Sequence, residues 1–256
     1  MNPLALFQQH RAEFRGRPVA GFTVEVFPDL CRGTAQNAGE EGWIGFAQLD
    51  PESAGARIDE QVRYFARLSQ AFEWKLFDFD TPASLRALLE ARGFGCDEPE
   101  AFLVLDLESW TDDRSAAPPV RLEQLHDDDG LRDFVAVQEA VWERSLPTDF
   151  ARYRRELQAT PDVTSFYCAY CDDQPVAAGR IEFPAGRSFA SLWAGSVRPT
   201  MRGRGVYSAL LAARLAEAKA RGYRFVTVDA APMSRPILLR KGFQHICWTY
   251  PMRLRT

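Results

Sequence analysis

VRPTMRGRGVY, residues 197–207, joins an apolar run at 190–197 to an Ala/Leu-rich stretch that begins at Val206. The apolar run is typical of a β-strand, and the stretch from Val206 to about Arg221 predicts an α-helix. A proline and two glycines lie between the two segments. The sequence therefore predicts a strand that turns through glycines directly into the N-terminus of a helix.

A strand–glycine–helix junction of this kind forms a binding site for an anion. Gly203 and Gly205 allow backbone N–H groups to approach the anion closely, and the helix dipole adds partial positive charge at the same point. Arg198, Arg202 and Arg204 add full positive charges beside the junction. We therefore expect a phosphorylated cofactor here.

The same residues resemble the acyl-CoA pyrophosphate loop of the GNAT N-acetyltransferase superfamily, V-x-P-x-x-(Q/R)-x-x-G-x-(G/A). The residues that match this pattern are Val197, Pro199, Arg202 and Gly205. Tyr207 departs from it, because the family usually has Gly or Ala there. The resemblance continues through FVTVD at 225–229 and LLRKGF at 238–243, and it covers roughly residues 120–256. Three elements in the same order and spacing make it specific.

This resemblance implies acetyl-CoA as the co-substrate and a mixed α/β fold in which the cofactor lies between two splayed parallel strands. Backbone groups near Val197 would then hold the pantetheine arm, and N–H groups of the loop would hold the pyrophosphate. The cofactor-binding residues implied by the resemblance are Val197, Arg202, Gly203, Arg204, Gly205, Val206, Tyr207 and Ser208.

Composition limits the class of protein. The chain has 256 residues, 46% of them hydrophobic, and a formal net charge of -4, so it can form a substantial core and has no overall basic field that favours nucleic acid. No apolar run is long enough to span a bilayer, and the N-terminus lacks the apolar segment of a signal peptide. Five cysteines without framework spacing favour a reducing compartment. We expect a cytoplasmic protein without nucleic-acid or membrane partners.

Cys168 and Cys171 form a C-x-x-C pair, which in other proteins binds zinc or acts as a redox pair. No second pair of this kind and no pair of histidines accompanies it, and it lies in a strand-like run that starts at Ser165. The three histidines are scattered along the chain. We therefore predict no metal site and a structural role for both cysteines.

TDDRSAAPP at 111–119 predicts a linker between two domains, 1–110 and 120–256. Both parts contain a strand, a helix that ends in Gly-Phe and a further strand, and ALLEARGF at 87–94 corresponds to PILLRKGF at 236–243. Glycine ends helices in many folds, but the matching order of the flanking strands favours a duplication. We expect two GNAT-like mixed α/β domains in tandem, each with a central, mostly antiparallel sheet flanked by helices.

The first domain lacks the phosphate loop. The helix predicted at 58–72 follows DPESAGA at 50–56, which contains no R-x-x-G-x-G string. Asp50 and Glu52 stand where the cofactor arginines would be, and a carboxylate repels a pyrophosphate. We therefore expect a degenerate first domain that binds no CoA.

The resemblance is weakest at the catalytic side chains. Many family members carry an Asn and a Tyr before the Gly-Phe pair, or a Glu in the strand before the loop, and this chain has Ala231, Leu238 and Ser191 at those positions. Asp229, at the end of its strand, and Glu182 are instead the candidate general bases.

Each candidate also has a structural interpretation. A cap for the turn at 231–235 is the commoner role for a residue such as Asp229, and an ion pair with Arg180 is an equal alternative for Glu182. Trp193 and Trp142 are candidates for the wall of an apolar pocket that binds the acceptor substrate, with burial in the core as the commoner role.

The sequence thus predicts an N-acetyltransferase that uses acetyl-CoA and acts on a primary amine of a small molecule. Because the customary catalytic groups are absent, a non-catalytic CoA-binding regulator or scaffold is the alternative. A dinucleotide-binding domain agrees less well with the sequence, because Ser208 replaces the third glycine of that motif and antiparallel hairpins precede the loop. The identity of the acceptor and the oligomeric state stay open.

Overall fold

A computed structural model describes residues 2–111, 120–143, 145 and 149–254. The chain forms two compact units, Met1–Leu103 with Asp229–Thr256 (unit one) and Val104–Val228 (unit two). The predicted linker at 111–119 lies outside the described residues, apart from Thr111.

Unit one contains the N-terminal elements and the last two elements of the chain. They are α1 (Pro3–Phe14), β1 (Phe22–Val26), β2 (Cys31–Ala35), β3 (Gly42–Gly45), α2 (Ala54–Arg67), β4 (Phe72–Phe77), α3 (Leu85–Glu90), β5 (Phe94–Cys96), β6 (Glu100–Asp106), which runs into unit two, α7 (Arg235–Arg240) and β12 (Gln244–Leu254). The strand order is β1-β2-β3-β4-β12-β6, and β5 pairs with β12.

Unit two contains the segment that carries the predicted phosphate loop. Its elements are β7 (Arg121–Leu125), α4 (Asp128–Trp142), α5 (Asp149–Ala159), β8 (Thr164–Cys171), β9 (Gln174–Glu182), β10 (Phe189–Val197), α6 (Val206–Ala220) and β11 (Phe225–Ala230), whose last two residues belong to unit one. The strand order is β11-β10-β9-β8-β7.

The two units repeat one order of elements. Strands β1, β2 and β3 are antiparallel, and β3 pairs in parallel with β4 after the intervening helix α2. Strands β8, β9 and β10 are likewise antiparallel, and β10 pairs in parallel with β11 after helix α6. A short helix follows each parallel pair and ends near a left-handed glycine, Gly93 (φ 86°) or Gly242 (φ 92°). This is the tandem order that the sequence predicts.

The compact units divide the chain at other points than the predicted domains 1–110 and 120–256. Residues 229–256 group with the N-terminal part because β12 forms an antiparallel ladder with β4, from Thr249↔Phe77 to Arg253↔Glu73. A repeated order of elements and the grouping of those elements into compact units are different properties of this chain.

Helix α2 starts at Ala54 and ends at Arg67, and so differs from the predicted range 58–72. The helix ends early because Ser69 adopts a left-handed φ of 50° and Phe72 is already the first residue of β4.

Each unit has its own apolar core. The unit-one core includes Leu30, Ile44, Ile58, Phe65, Trp74, Leu85, Leu89 and Met252. The unit-two core includes Leu131, Phe134, Val137, Phe166 and Cys168. Cys168 thus contributes a buried thiol to the core, in agreement with a structural role, while Cys171 is partly exposed and also free.

Two further properties of the described part of the chain bear on function. Within it, no helix combines the length and the apolar character needed to cross a bilayer. The same residues contain no group of three or more His, Cys, Asp and Glu side chains placed to hold a metal ion.

Candidate active site

The loop between β10 and α6 follows the predicted strand–glycine–helix path. A short 3-10 turn at Pro199–Met201 leaves the strand, and Gly203 (φ 73°) and Gly205 (φ 81°) then adopt left-handed conformations. Such conformations are accessible to glycine without the clash of a Cβ atom. Gly205 is the N-cap of α6, and no side chain caps this helix.

Six successive backbone N–H groups, from Gly203 to Ser208, make no hydrogen bond with any residue that the structure describes. The first backbone bond of α6 runs from the N–H of Ala209 to the carbonyl oxygen of Gly205 (3.0 Å). Open N–H groups at the positive end of a helix dipole attract phosphate oxygens. The loop therefore has the geometry of an anion site.

Three arginines border this loop in different ways. Arg198 Nε donates to the carbonyl oxygen of Pro175 (2.8 Å), and Arg202 Nε donates to that of Val197 (3.2 Å). Arg204 is exposed and has no hydrogen bond or ion pair among the described residues. Arg202 and Arg204 thus offer guanidinium N–H groups to a phosphate.

β10 and β11 separate soon after they pair. Their parallel ladder contains only three residue pairs, from Phe189↔Phe225 to Ser191↔Thr227. Within the described residues, the part of β10 from Leu192 to Val197 has no paired residue on the β11 side. The free edge of β10 can therefore receive the backbone-like amides of an extended ligand.

The two tryptophans predicted to line an acceptor pocket are not core residues. Trp193 is 40% exposed and Trp142 is 55% exposed. Trp193 Nε1 donates to Ser191 Oγ (3.0 Å), and Trp142 Nε1 donates to Gln138 Oε1 (3.2 Å). Each indole is thus held by its polar end while its ring is open to a ligand.

Glu182 takes part in an ion-paired group near Trp193. One nitrogen of Arg180 lies 2.7 Å from Glu156 Oε2 and 3.1 Å from Glu182 Oε1. Burial disfavours the charged form of Arg180, but the two carboxylates outweigh burial and raise its pKa. The Arg180 guanidinium lies 5.7 Å from the centre of the Trp193 ring.

Asp229 belongs to unit one, two residues beyond Thr227 in β11. Its Oδ2 lies 3.2 Å from Lys75 Nζ, which also lies 2.6 Å from Glu100 Oε2. Its Oδ1 is buried and has no hydrogen-bond partner among the described residues. The interpretation of Asp229 as a turn cap is wrong, because its carboxylate pairs with Lys75 and the N-cap of α7 is Ser234.

The corresponding place in unit one is closed. Beyond the β3–β4 ladder, the N–H of Leu49 donates to the carbonyl oxygen of Thr81 (2.9 Å). At the start of α2, Asp50 Oδ1 accepts hydrogen bonds from the N–H groups of Glu52 (2.9 Å) and Ser53 (3.4 Å). The carboxylate of Asp50 thus occupies N–H groups that a phosphate would need. That domain 1–110 binds no CoA stays a prediction.

Position 207 departs from the loop pattern, and its neighbours explain how a large side chain fits there. A Cβ atom added to Gly195 would lie 3.3 Å from the Tyr207 ring and 3.6 Å from a nitrogen of Arg214. The missing side chain at 195 therefore makes room for the tyrosine ring.

Two buried polar residues, Arg214 and Gln138, are 1% and 3% exposed and were not predicted from the sequence. The available signal was a charged or amide residue at a core-facing position of an otherwise apolar helix. Burial lowers the pKa of Arg214, and one of its terminal nitrogens has no hydrogen-bond partner in the described part of the chain. Gln138 contacts β10.

One segment of the chain matches a known family. Residues 121–236 match the family model described as Acetyltransferase (GNAT) family. No curated protein sequence matches the chain.

Solved structures share the whole fold at low identity. The GCN5-related N-acetyltransferase from Kribbella flavida is 14% identical, with 99% of this chain and 94% of that chain covered at a TM-score of 0.67. A GCN5-related N-acetyltransferase from Sphaerobacter thermophilus is 15% identical, with 89% and 77% covered at a TM-score of 0.64. A tandem GNAT protein from the clavulanic acid biosynthesis pathway is 14% identical, with 89% and 79% covered at a TM-score of 0.62.

The segment 121–236 thus matches the GNAT acetyltransferase family, and the predicted fold class of two GNAT-like mixed α/β domains is confirmed.

Proposed function

We propose that this protein transfers the acetyl group of acetyl-CoA to the primary amine of a small molecule. The observation that carries the proposal is the row of open N–H groups from Gly203 to Ser208, which adjoins the unpaired edge of β10. These two features fit the two parts of one cofactor, a charged pyrophosphate and an extended amide-containing arm.

The proposed cofactor contacts follow from this arrangement. The N–H groups of 203–208, with the guanidinium groups of Arg202 and Arg204, hold the pyrophosphate. The free edge at 192–197 pairs with the pantetheine amides in the manner of a neighbouring strand. This directs the thioester along β10 and leaves Tyr207, whose ring lies beside Gly195, against the arm.

The acceptor side rests on aromatic rings within unit two. The exposed indoles of Trp142 and Trp193 favour a cationic amine, because ammonium groups bind to aromatic faces. After the amine loses a proton, its nitrogen attacks the thioester carbonyl carbon. The C–S bond then breaks and the CoA thiolate takes up a proton.

We propose Asp229 first and Glu182 second as the group that accepts the amine proton. The buried and unbonded Oδ1 of Asp229 favours this residue. Asp229 forms an ion pair with Lys75, and Glu182 forms one with Arg180. We also propose a reducing cytoplasmic location, because all five cysteines are free thiols.

Calorimetry with acetyl-CoA tests the loop directly. In Gly203→Val an added Cβ meets no protein atom within 4 Å, but a β-branched residue is strained at a φ of 73° and displaces the row of open N–H groups. Loss of two hydrogen bonds to a charged phosphate, at about 1.5–3 kcal/mol each, predicts an affinity at least about 100-fold lower.

Gly186→Val is the matched control for backbone strain. Gly186 has a φ of 67°, close to the 73° of Gly203, and its Cβ would also meet no atom within 4 Å. Unchanged affinity in Gly203→Val would refute the loop assignment. We expect one cofactor per chain, and a stoichiometry of two would show that unit one also binds CoA.

Release of the CoA thiol with a panel of amines tests the reaction. We expect turnover with small cationic amines. Tight binding of acetyl-CoA without turnover on any amine would instead support the non-catalytic alternative.

A further inference from the structure

β10 contains a bulge next to its free edge. Trp193 pairs with Arg180 and Ser196 pairs with Ala178, so two residues of β10, Ala194 and Gly195, stand opposite one residue of β9. Residues Trp193–Ser196 form the β10 bulge. A bulge turns individual backbone groups away from the regular ladder.

The bulge contains a backbone conformation that its own sequence does not favour. Ala194 has a φ of 52°, in the left-handed region that residues with a Cβ atom rarely adopt. Such a conformation persists where surrounding contacts hold it in place, and it is common at functional sites.

Gln138 on α4 supplies such contacts. Its Nε2 donates to the carbonyl oxygen of Ala194 (2.7 Å), and its Oε1 accepts from Ser196 Oγ (3.0 Å) and from Trp142 Nε1 (3.2 Å). The amide orientation is fixed by its partners, because a carbonyl oxygen can only accept and an indole N–H can only donate.

The rest of the buried face of α4 is apolar. Its other buried residues are Leu131, Phe134, Val135 and Val137. A glutamine among them is 3% exposed and costs desolvation, which its three hydrogen bonds offset. If this position served only to pack the core, a leucine would fill it without the cost of burying an amide.

We propose that Gln138 is a positioning residue for acyl transfer, an inference that rests on the proposed function. It holds the β10 bulge so that the free backbone groups of 192–197 meet the acyl thioester in one fixed orientation. Through Trp142 it also ties one wall of the proposed acceptor pocket to the same strand. Gln138 itself touches neither substrate.

The test compares Gln138→Leu with Val137→Ala. Leucine keeps an apolar residue of similar size in the core and removes all three hydrogen bonds. Val137 is fully buried on the same helix, and its truncation weakens the core without removing a hydrogen bond to β10. We expect kcat to fall about 10- to 100-fold in Gln138→Leu, because a small misplacement of reacting groups has effects of that size.

Three further readouts separate positioning from a general loss of structure. The affinity for CoA, measured by calorimetry, should fall less than kcat, because the pyrophosphate loop is intact and only the contacts of the pantetheine arm with 192–197 are loosened. Hydrogen exchange of peptides that cover 192–197 should speed up in Gln138→Leu and not in Val137→Ala. Adding Ala194→Gly to Gln138→Leu should restore part of the lost kcat, because glycine adopts the left-handed conformation without strain.

The outcomes are distinct. Wild-type kcat in Gln138→Leu, or an equal loss in Val137→Ala, would overturn the positioning role. Unchanged exchange of 192–197 in Gln138→Leu would overturn the hold on the bulge itself. A wild-type chain that binds CoA and acetylates no amine would refute the proposed function instead, and the exchange experiment would still decide whether Gln138 holds the bulge.

Discussion

The imidazole of His10 should make unit one sensitive to acid. His10 lies on α1 and is 8% exposed, with its ring 4.3 Å from that of Phe14 and 4.9 Å from that of Phe102 between centroids. Burial, followed by the charges of Arg17 and Arg11, lowers its pKa from 6.5 to about 3. The folded protein therefore keeps this ring neutral.

The direction of the effect follows from the two pKa values. The unfolded chain takes up a proton on His10 below pH 6.5, whereas the folded chain does so only near pH 3. Stability is therefore fully present above pH 6.5 and is lost as the pH falls from 6.5 towards 3. Between pH 7 and pH 5 the loss is about 2 kcal/mol, since pH 5 lies about 1.5 units below the unfolded pKa and each unit corresponds to about 1.4 kcal/mol.

A second buried group acts in the opposite direction. Burial raises the pKa of Asp80 to about 6, against the effect of its ion pair with Arg11. A carboxyl group whose pKa is higher in the folded than in the unfolded chain stabilises the folded protein as the pH falls from the folded pKa towards the unfolded pKa. The pH dependence of the wild-type protein alone therefore does not isolate His10.

The comparison with His10→Phe removes this complication, because Asp80 is present in both chains. Phenylalanine retains an aromatic ring between Phe14 and Phe102. We expect the free energy of unfolding, from urea titrations followed by tryptophan fluorescence, to favour the variant by about 2 kcal/mol more at pH 5 than at pH 7. A difference between the two pH values below about 0.5 kcal/mol would refute the assignment of a buried neutral His10.

The remaining predictions concern Arg214 and the two candidate bases. Arg214 has no ion pair among the described residues, and its Nε and one terminal nitrogen reach only the carbonyl oxygens of Leu210 (3.2 Å) and Arg180 (3.3 Å). Arg214→Met should leave the free energy of unfolding unchanged or raise it by up to about 3 kcal/mol, and a clear loss in urea titrations would show that the charge stabilises the fold. Asp229→Asn should lower kcat about 10²–10⁴-fold without weakening CoA binding. If Asp229→Asn instead keeps the wild-type kcat and pH–rate profile, Glu182→Gln should show that loss of kcat. Wild-type kcat in both variants would exclude both bases.

The local sequence was sufficient to predict those features that depend only on residues close together in the chain. The strand–glycine–helix junction at 197–207 could be predicted because proline, glycine and the start of an apolar helix follow one another within a few positions. The absence of a phosphate loop in unit one could be predicted from Asp50 for the same reason, since its carboxylate bonds to N–H groups two and three residues later.

The solvent exposure of individual side chains was harder to predict from the sequence. Trp142 and Trp193 are large aromatic residues, which are usually buried in the core, yet they are 55% and 40% exposed. Periodicity assigns a face to a residue, but the position of the neighbouring elements decides whether that face is covered.

The sequence by itself thus determined the resemblance of residues 120–256 to one family, the order of helices and strands, and the glycine loop at the start of α6, because short contiguous patterns encode all three. Only the tertiary structure decided that β12 joins β4 in unit one, that Lys75 meets Asp229, and that Gln138 holds Ala194. These contacts join residues far apart in the chain, and pairing at such separations depends on how whole elements pack. No local propensity encodes them.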